Sequence, residues 1–248
     1  MEADLHPARA DGLAGSVLTR ALRSALVAVG LFVAGCAVSG ERPTPSVVRY
    51  VALGDSYTIG TSVEPAERFP EQLVAALGPE VPTLGLVANL GVNGNTSADV
   101  IREELPTLKD LDADFATVLI GVNDVVQGVP VETYEANVAT ILDGVLVHLP
   151  ADRIVTVAIP DYTVTPAGAD YGDPTRQHDA IVASNAVMAR LAGARGIAYV
   201  DIFDVSLRAA ADRSLVADDG LHASGAQYRL WVERIQPVVE RLLGRPPT

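Results

Sequence analysis

From residue 47 onward, short runs of apolar and β-branched residues alternate with longer stretches whose apolar positions recur every three or four residues. Runs that are apolar at nearly every position read as strands buried on both faces, and residues 47–53, 84–90, 115–120, 154–159 and 197–201 fit that description. Helical spacing fills the intervals at residues 69–77, 98–104, 131–149, 177–194 and 226–243, with Thr96 or Ser97 and Ser224 placed to cap two of these helices. Strand and helix in alternation predict βαβ units and hence an α/β fold, a three-layer α/β/α sandwich around a five-stranded parallel sheet. No internal repeat or low-complexity tract interrupts the pattern.

The first 46 residues follow a different rule. Arg20 and Arg23 precede an uncharged, mostly apolar run over residues 24–35, which is short for a membrane span and suits the core of an export signal. The run closes with Val33-Ala34-Gly35-Cys36, which resembles the bacterial lipobox. That resemblance implies a lipoprotein-type signal peptide over residues 1–35 and lipidation of Cys36. It also implies an exported protein anchored through that lipid to a membrane of the cell envelope, with soluble secretion as the alternative. The stretch before Arg20 is long for a leader and carries Glu2, Asp4 and Asp11, so a translation start further in is a second reading. Residues 36–46, with Pro43, Pro45 and small polar side chains, read as a flexible tether, and residues 47–248 as the folded domain.

Composition narrows the classes of function. Of 248 residues, 49% are hydrophobic and 20% charged, enough apolar material for one sizeable core. A net charge of −13 leaves no broad basic surface, which argues against nucleic acid as a partner. The single cysteine cannot form an internal disulfide, and no Cys/His cluster has the spacing of a zinc site, so no metal is expected.

In an open parallel sheet, reactive groups lie on loops beyond the carboxyl ends of the strands. The first strand runs into Gly54-Asp55-Ser56, the second into Gly91-Val92-Asn93-Gly94-Asn95-Thr96 and the third into Gly121-Val122-Asn123-Asp124. All three loops therefore fall on one edge, and Asp219-Gly220-Leu221-His222 precedes the last helix, where it can fold back over that edge. Acyl transfer needs a nucleophile, a base, a group that orients the base, and donors for an oxyanion. Ser56 is the candidate nucleophile, His222 the base and Asp219 its orienting carboxylate. His148 and His178 lie in helical patterns with no Asp three residues before them. Asp55 and Asp124 read as turn and network residues, and a longer loop from Asp161 to Pro174 reads as the shaper of a cleft walled by Tyr57, Tyr162 and Tyr171.

The order GDS, N-x-x-x-x-G, GxND, DxxH resembles the SGNH branch of the GDSL esterase/lipase family, from residue 47 to about residue 224. Each motif alone is weak; the four in order arise by accident in well under about one chain in a thousand. The resemblance implies a flavodoxin-like sheet and a triad of Ser56, Asp219 and His222. It also implies an oxyanion hole from Ser56, Gly94 and Asn123, with Gly91 as the rival to Gly94. The implied activity is cleavage of small or acyl carboxylic esters through an acyl-enzyme on Ser56, without metal or organic cofactor. Carbohydrate O-deacetylation and lysophospholipase or thioesterase action use the same machinery and stay open. Aromatic residues make up 5% of the chain, with Trp231 the one tryptophan, which gives little support to an extended sugar-stacking platform. From another class, a catalytically silent envelope binding module is the rival reading.

Overall fold

The computed structural model describes residues 47–79 and 82–244; the expected signal peptide, Cys36 and the tether lie outside the described residues. Strands β1 (Val47–Gly54), β2 (Thr83–Asn89), β3 (Phe115–Leu119), β4 (Ile154–Val157) and β5 (Ala198–Val200) form one parallel sheet in the order β2-β1-β3-β4-β5. The chain steps outward from β1 to β2 and then crosses back to β3 on the other side of β1. This reversal opens a crevice at the carboxyl ends of β1 and β3, where the loops carrying Ser56 and Asn123 begin.

Four long helices cover the sheet: α1 (Phe69–Leu77), α2 (Val131–Leu146), α3 (Pro174–Ala194) and α4 (Gly225–Leu242). Alternate side chains of β1 sort into two cores, as a period of two requires. Val48, Tyr50 and Ala52 join Phe69 and Leu73 of α1 and Trp231, Ile235 and Val239 of α4. Val51 and Leu53 join Val138, Ile141 and Val145 of α2 and Val187, Met188 and Leu191 of α3. The result is the expected three-layer sandwich. A buried polar pair bridges β1 and β3, Tyr50 Oη lying 2.7 Å from Thr117 Oγ1.

Helix limits differ from the sequence pattern where local chemistry intervenes. α2 runs to Leu146 rather than residue 149, and a closing turn follows in which the His148 and Leu149 amides both donate to the Val145 carbonyl ahead of Pro150. α3 starts at Pro174, since the Asp173 side chain accepts a hydrogen bond from the Arg176 amide and proline suits the first helical position. Ser224 caps α4 by accepting from the Gln227 amide.

The largest departure is at residues 98–104. A short helical turn (Ser97–Asp99), with Thr96 and Asp99 in a capping box, widens into a π-helical segment at Val100–Glu104 and tightens into a 3-10 segment at Leu105–Asp110. Pro106 explains the break: it has no amide to donate and its ring crowds the preceding turn. The wide turn ends on Glu104, which is buried beneath the nucleophile loop. Its Oε2 accepts the Gly54 amide at 2.9 Å and its Oε1 the Asn95 side chain at 3.0 Å. Among the described residues no helix is long and apolar enough to cross a membrane.

Burial pushes the Glu104 carboxyl up to about 8, against the opposing hydrogen bonds from Asn95 and Gly54, and pushes Asp55 up to about 7. Both acids ionise much lower in an unfolded chain. Their contribution to stability is therefore complete below the unfolded values and is lost as pH rises through about 7 to 8. Denaturant titrations from about pH 5 to about pH 9 should show an unfolding free energy that falls by on the order of a few kcal/mol. Glu104→Gln should lose less than the wild type across the same window, and parallel pH profiles for the two would refute the account.

Candidate active site

The nucleophile loop is shaped by what fits behind it. Gly54 has φ +151, and a Cβ there would lie 2.1 Å from the Leu119 carbonyl oxygen and 2.3 Å from Thr58 Oγ1, so glycine alone is accommodated. Asp55 then caps a short helix, Ser56–Ile59, by accepting the Tyr57 amide at 2.9 Å. Asp55 is fully buried and Ser56 nearly so, which fixes the serine at the rim of the sheet. The expected network role of Asp55 is what the structure shows.

His222 Nε2 lies 2.9 Å from Ser56 Oγ, and His222 Nδ1 lies 2.6 Å from Asp219 Oδ2. Asp219 Oδ1 accepts the amides of Leu221 and His222 at 2.8 and 2.9 Å, so the carboxylate closes its own loop into a turn. The loop is anchored on both sides by the Ala217 amide donating to the His222 carbonyl and the Ser224 amide donating to the Leu215 carbonyl. The Tyr57 ring centroid stands 5.0 Å from that of His222 and backs the imidazole.

A fourth residue joins this line that spacing did not reveal. Ser62 Oγ donates to Asp219 Oδ2 at 2.7 Å, across 157 positions of sequence. Ser62 has φ +64, a left-handed backbone that a non-glycine residue adopts at a cost of about 1 kcal/mol or more. Partial burial pushes the Asp219 carboxyl up, but hydrogen bonds from the Leu221 and His222 amides, the His222 ring and Ser62 outweigh it and hold the group at about 2. A permanently charged acceptor thus faces the imidazole.

The second loop distinguishes its two glycines. The Gly91 amide already donates to Asn89 Oδ1 at 3.2 Å, and a Cβ at Gly91 would meet the Ile59 amide at 2.7 Å and the Asp55 carbonyl at 2.8 Å. Gly91 is therefore a packing glycine pressed against the nucleophile turn. Gly94 has φ +85, is exposed with open space beside it, and its amide makes no hydrogen bond among the described residues. Asn123 Nδ2 donates to the Asn95 carbonyl at 2.9 Å, which orients the amide and leaves its second hydrogen free. Asp124 accepts from the Ser97 amide and hydroxyl at 2.8 and 2.5 Å and so ties the third loop to the second.

Beside Ser56 and His222 is a small pocket of about 30 Å³, lined in part by Asn123, Tyr57, Tyr162 and Tyr171. The three tyrosines expected as cleft walls are in place. Gln177 of α3 holds two of them, accepting from the Tyr162 hydroxyl at 2.6 Å and donating to the Tyr171 carbonyl. The same loop is pinned by a second Asp–His pair, His178 Nδ1 to Asp161 Oδ2 at 2.5 Å. Spacing missed that pair because its members come from different elements. Among the described residues no cluster of three His, Cys, Asp or Glu side chains stands ready to hold a metal.

Gly91→Ala should lower the unfolding free energy by about 1–3 kcal/mol, because its methyl group has backbone on two sides. Gly94→Ala meets no neighbour and should cost about 1 kcal/mol, the low end for a left-handed backbone angle. Chemical denaturation of both variants checks the contrast, and equal losses would remove the distinction between the two glycines.

The profile of the GDSL-like lipase/acylhydrolase family matches residues 52–230. Comparison with curated protein sequences returns no match. Solved structures with a similar fold include a variant of an acetyl xylan esterase from Geobacillus stearothermophilus, at 17% identity and TM-score 0.61, over 82% of this chain and 99% of that one. A psychrotrophic esterase from Pseudoalteromonas sp. matches at 16% identity and TM-score 0.60, over 79% and 99%. A member of the lipolytic G-D-S-L family from Veillonella parvula matches at 15% identity and TM-score 0.63, over 78% and 99%. These likenesses show the fold, and the profile spans all four motif loops. The chain belongs to the GDSL-like lipase/acylhydrolase family and is a hydrolase acting on esters.

Proposed function

We propose that the protein cleaves carboxylic esters through an acyl-enzyme on Ser56. The observation that carries this reading is the unbroken line from Asp219 to His222 to Ser56, with contacts of 2.6 and 2.9 Å. Asp219 accepts the Nδ1 proton of His222, which leaves the Nε2 lone pair facing Ser56 Oγ. As Oγ attacks the ester carbonyl, its proton passes to Nε2. The negative charge gathering on the carbonyl oxygen is met by the Ser56 and Gly94 amides and the free hydrogen of Asn123 Nδ2, the last already oriented by its bond to the Asn95 carbonyl. His222 then returns the proton to the departing alcohol oxygen. Water then attacks the acyl carbon while giving a proton to His222, and His222 passes that proton to Ser56 Oγ as the acyl–oxygen bond breaks and the acid leaves. Ser62 acts at one remove, as a positioning residue for Asp219.

The lipobox-like sequence at Cys36 supports a location in the cell envelope, with residues 36–46 as the tether between an anchored Cys36 and the hydrolase. Cys36→Ala in the expressing cell should shift the protein from the membrane fraction to the soluble fraction, and unchanged partitioning would remove the anchor.

Ser56→Ala should reduce hydrolysis of para-nitrophenyl esters by at least about a thousandfold with an unchanged melting temperature. Near-wild-type turnover in that variant would overturn the assignment. A fluorophosphonate should label the wild type and not the variant, which separates a hydrolase from a silent binding module. Ser62→Ala should lower kcat by roughly three- to tenfold with KM little changed, as expected for an interaction that matters when the imidazole becomes charged.

A further inference from the structure

Beyond the pocket at Ser56 lies a cavity of about 420 Å³ that the reaction steps do not use. It opens between the short helix Val122–Val126 and α3, and Val126 and Tyr171 line both it and the catalytic pocket, so the two adjoin. Its volume is in the range of small-molecule sites. Much of its wall is apolar, with Val125, Val129, Val131, Ala180 and Ala183.

Two charged residues border this cavity, and they are not equivalent. Asp124 is buried, and its two oxygens are taken by the Ser97 amide and hydroxyl. Arg176 is exposed, and its guanidinium makes no ion pair or hydrogen bond among the described residues. Arg190, Arg195 and Arg234 are each paired with a carboxylate. The nearby Asp173 side chain is engaged with the backbone amide of Arg176 rather than its side chain. A chain with a net charge of −13 thus keeps an uncommitted cation on the wall of a largely apolar cavity that adjoins its catalytic pocket.

The position of the cavity indicates which part of an ester enters it. His222 stands on the side of the sheet covered by α1 and α4, its ring against Tyr57, which in turn faces Trp231 of α4. The cavity is bounded by Val131 and Tyr134 of α2, by α3 and by the Val122–Val126 helix that carries Asn123, and its lining includes no residue of the 219–222 loop. The alcohol oxygen must leave next to His222, so the acyl substituent points away from it, toward the cavity. We propose that this cavity receives the acyl chain and that Arg176 selects acyl groups ending in a negative charge, making half-esters of dicarboxylic acids the favoured substrate class. This inference rests on Ser56 being the nucleophile.

The test compares para-nitrophenyl hexanoate with the mono-para-nitrophenyl ester of adipic acid, two acyl chains of equal length of which one ends in a carboxylate. Wild-type protein, Arg176→Gln, Arg176→Glu and the Ser56→Ala blank are measured on both. The wild type should favour the adipate half-ester. Arg176→Gln should raise KM for it roughly tenfold while leaving the hexanoate within about twofold, and Arg176→Glu should reverse the preference. The wild-type preference should also shrink at high salt, because the guanidinium is exposed. If the Arg176 variants shift both esters equally or neither, while hexanoate hydrolysis still depends on Ser56, the inference falls and the hydrolase reading stands. If an Arg176 effect appears instead when the carboxylate is placed on the leaving phenol, the acyl placement is overturned. If neither ester turns over above the Ser56→Ala blank, the nucleophile assignment fails and takes this inference with it.

Discussion

The Asp219 carboxylate accepts hydrogen bonds from two backbone amides, one imidazole and one serine hydroxyl, and the rest of the site is arranged around keeping it charged. Each donor does something besides stabilising the anion. The Leu221 and His222 amides curl the loop so that one short segment delivers both carboxylate and imidazole. The His222 ring is held by its Nδ1 so that its other nitrogen meets Ser56. Ser62 reaches in from the turn that follows the nucleophile helix, which joins the loop of the base to the loop of the nucleophile. A carboxylate with fewer donors in this half-buried place would bind protons more readily, and the imidazole would lose a fixed negative partner.

Under the serine the opposite choice is made. Asp55 and Glu104 are buried so deeply that burial raises both; Glu104 holds the Gly54 amide and the Asn95 side chain with its two oxygens, and Asp55 holds the Tyr57 amide with one. The two kinds of acid sit within one site and differ in solvent access. Asp219 lies in a loop at the surface, where amides and water share its solvation, whereas Glu104 is carried beneath β1 by the π-helical turn before Pro106. Structural acids below and a charged acid above give a turn that is rigid and a base that is oriented.

What could be read from the chain depended on how local the determinant was. The strands were legible because a strand buried on both faces has little choice but to be apolar throughout, and the Asp219 and His222 pair because three residues separate its members. Ser62 was invisible: serine in a turn is unremarkable, and its partner lies 157 positions away. The same holds for His178, whose carboxylate partner Asp161 comes from another element. The helix expected at residues 98–104 was right in kind and wrong in form, because Pro106 lay beyond the periodic stretch and its effect reached back. Gly91 and Gly94 are equivalent as letters in a loop, and only packing tells them apart, one against the nucleophile turn and one in open space.

The loop after β4 is fastened at two ends, by Gln177 and His178 to α3 and by the Ala167 amide to the Gly220 carbonyl, 2.9 Å away in the loop of the base. Catalytic machinery and cleft wall are consequently not separable modules here. A graft that exchanged this loop for another of different length would carry a mechanical load onto residues 219–222 as well as a new lining. Diversification of substrate range in such a scaffold is therefore easier from the α3 side, where a residue such as Arg176 can change without pulling on the hinge that holds His222.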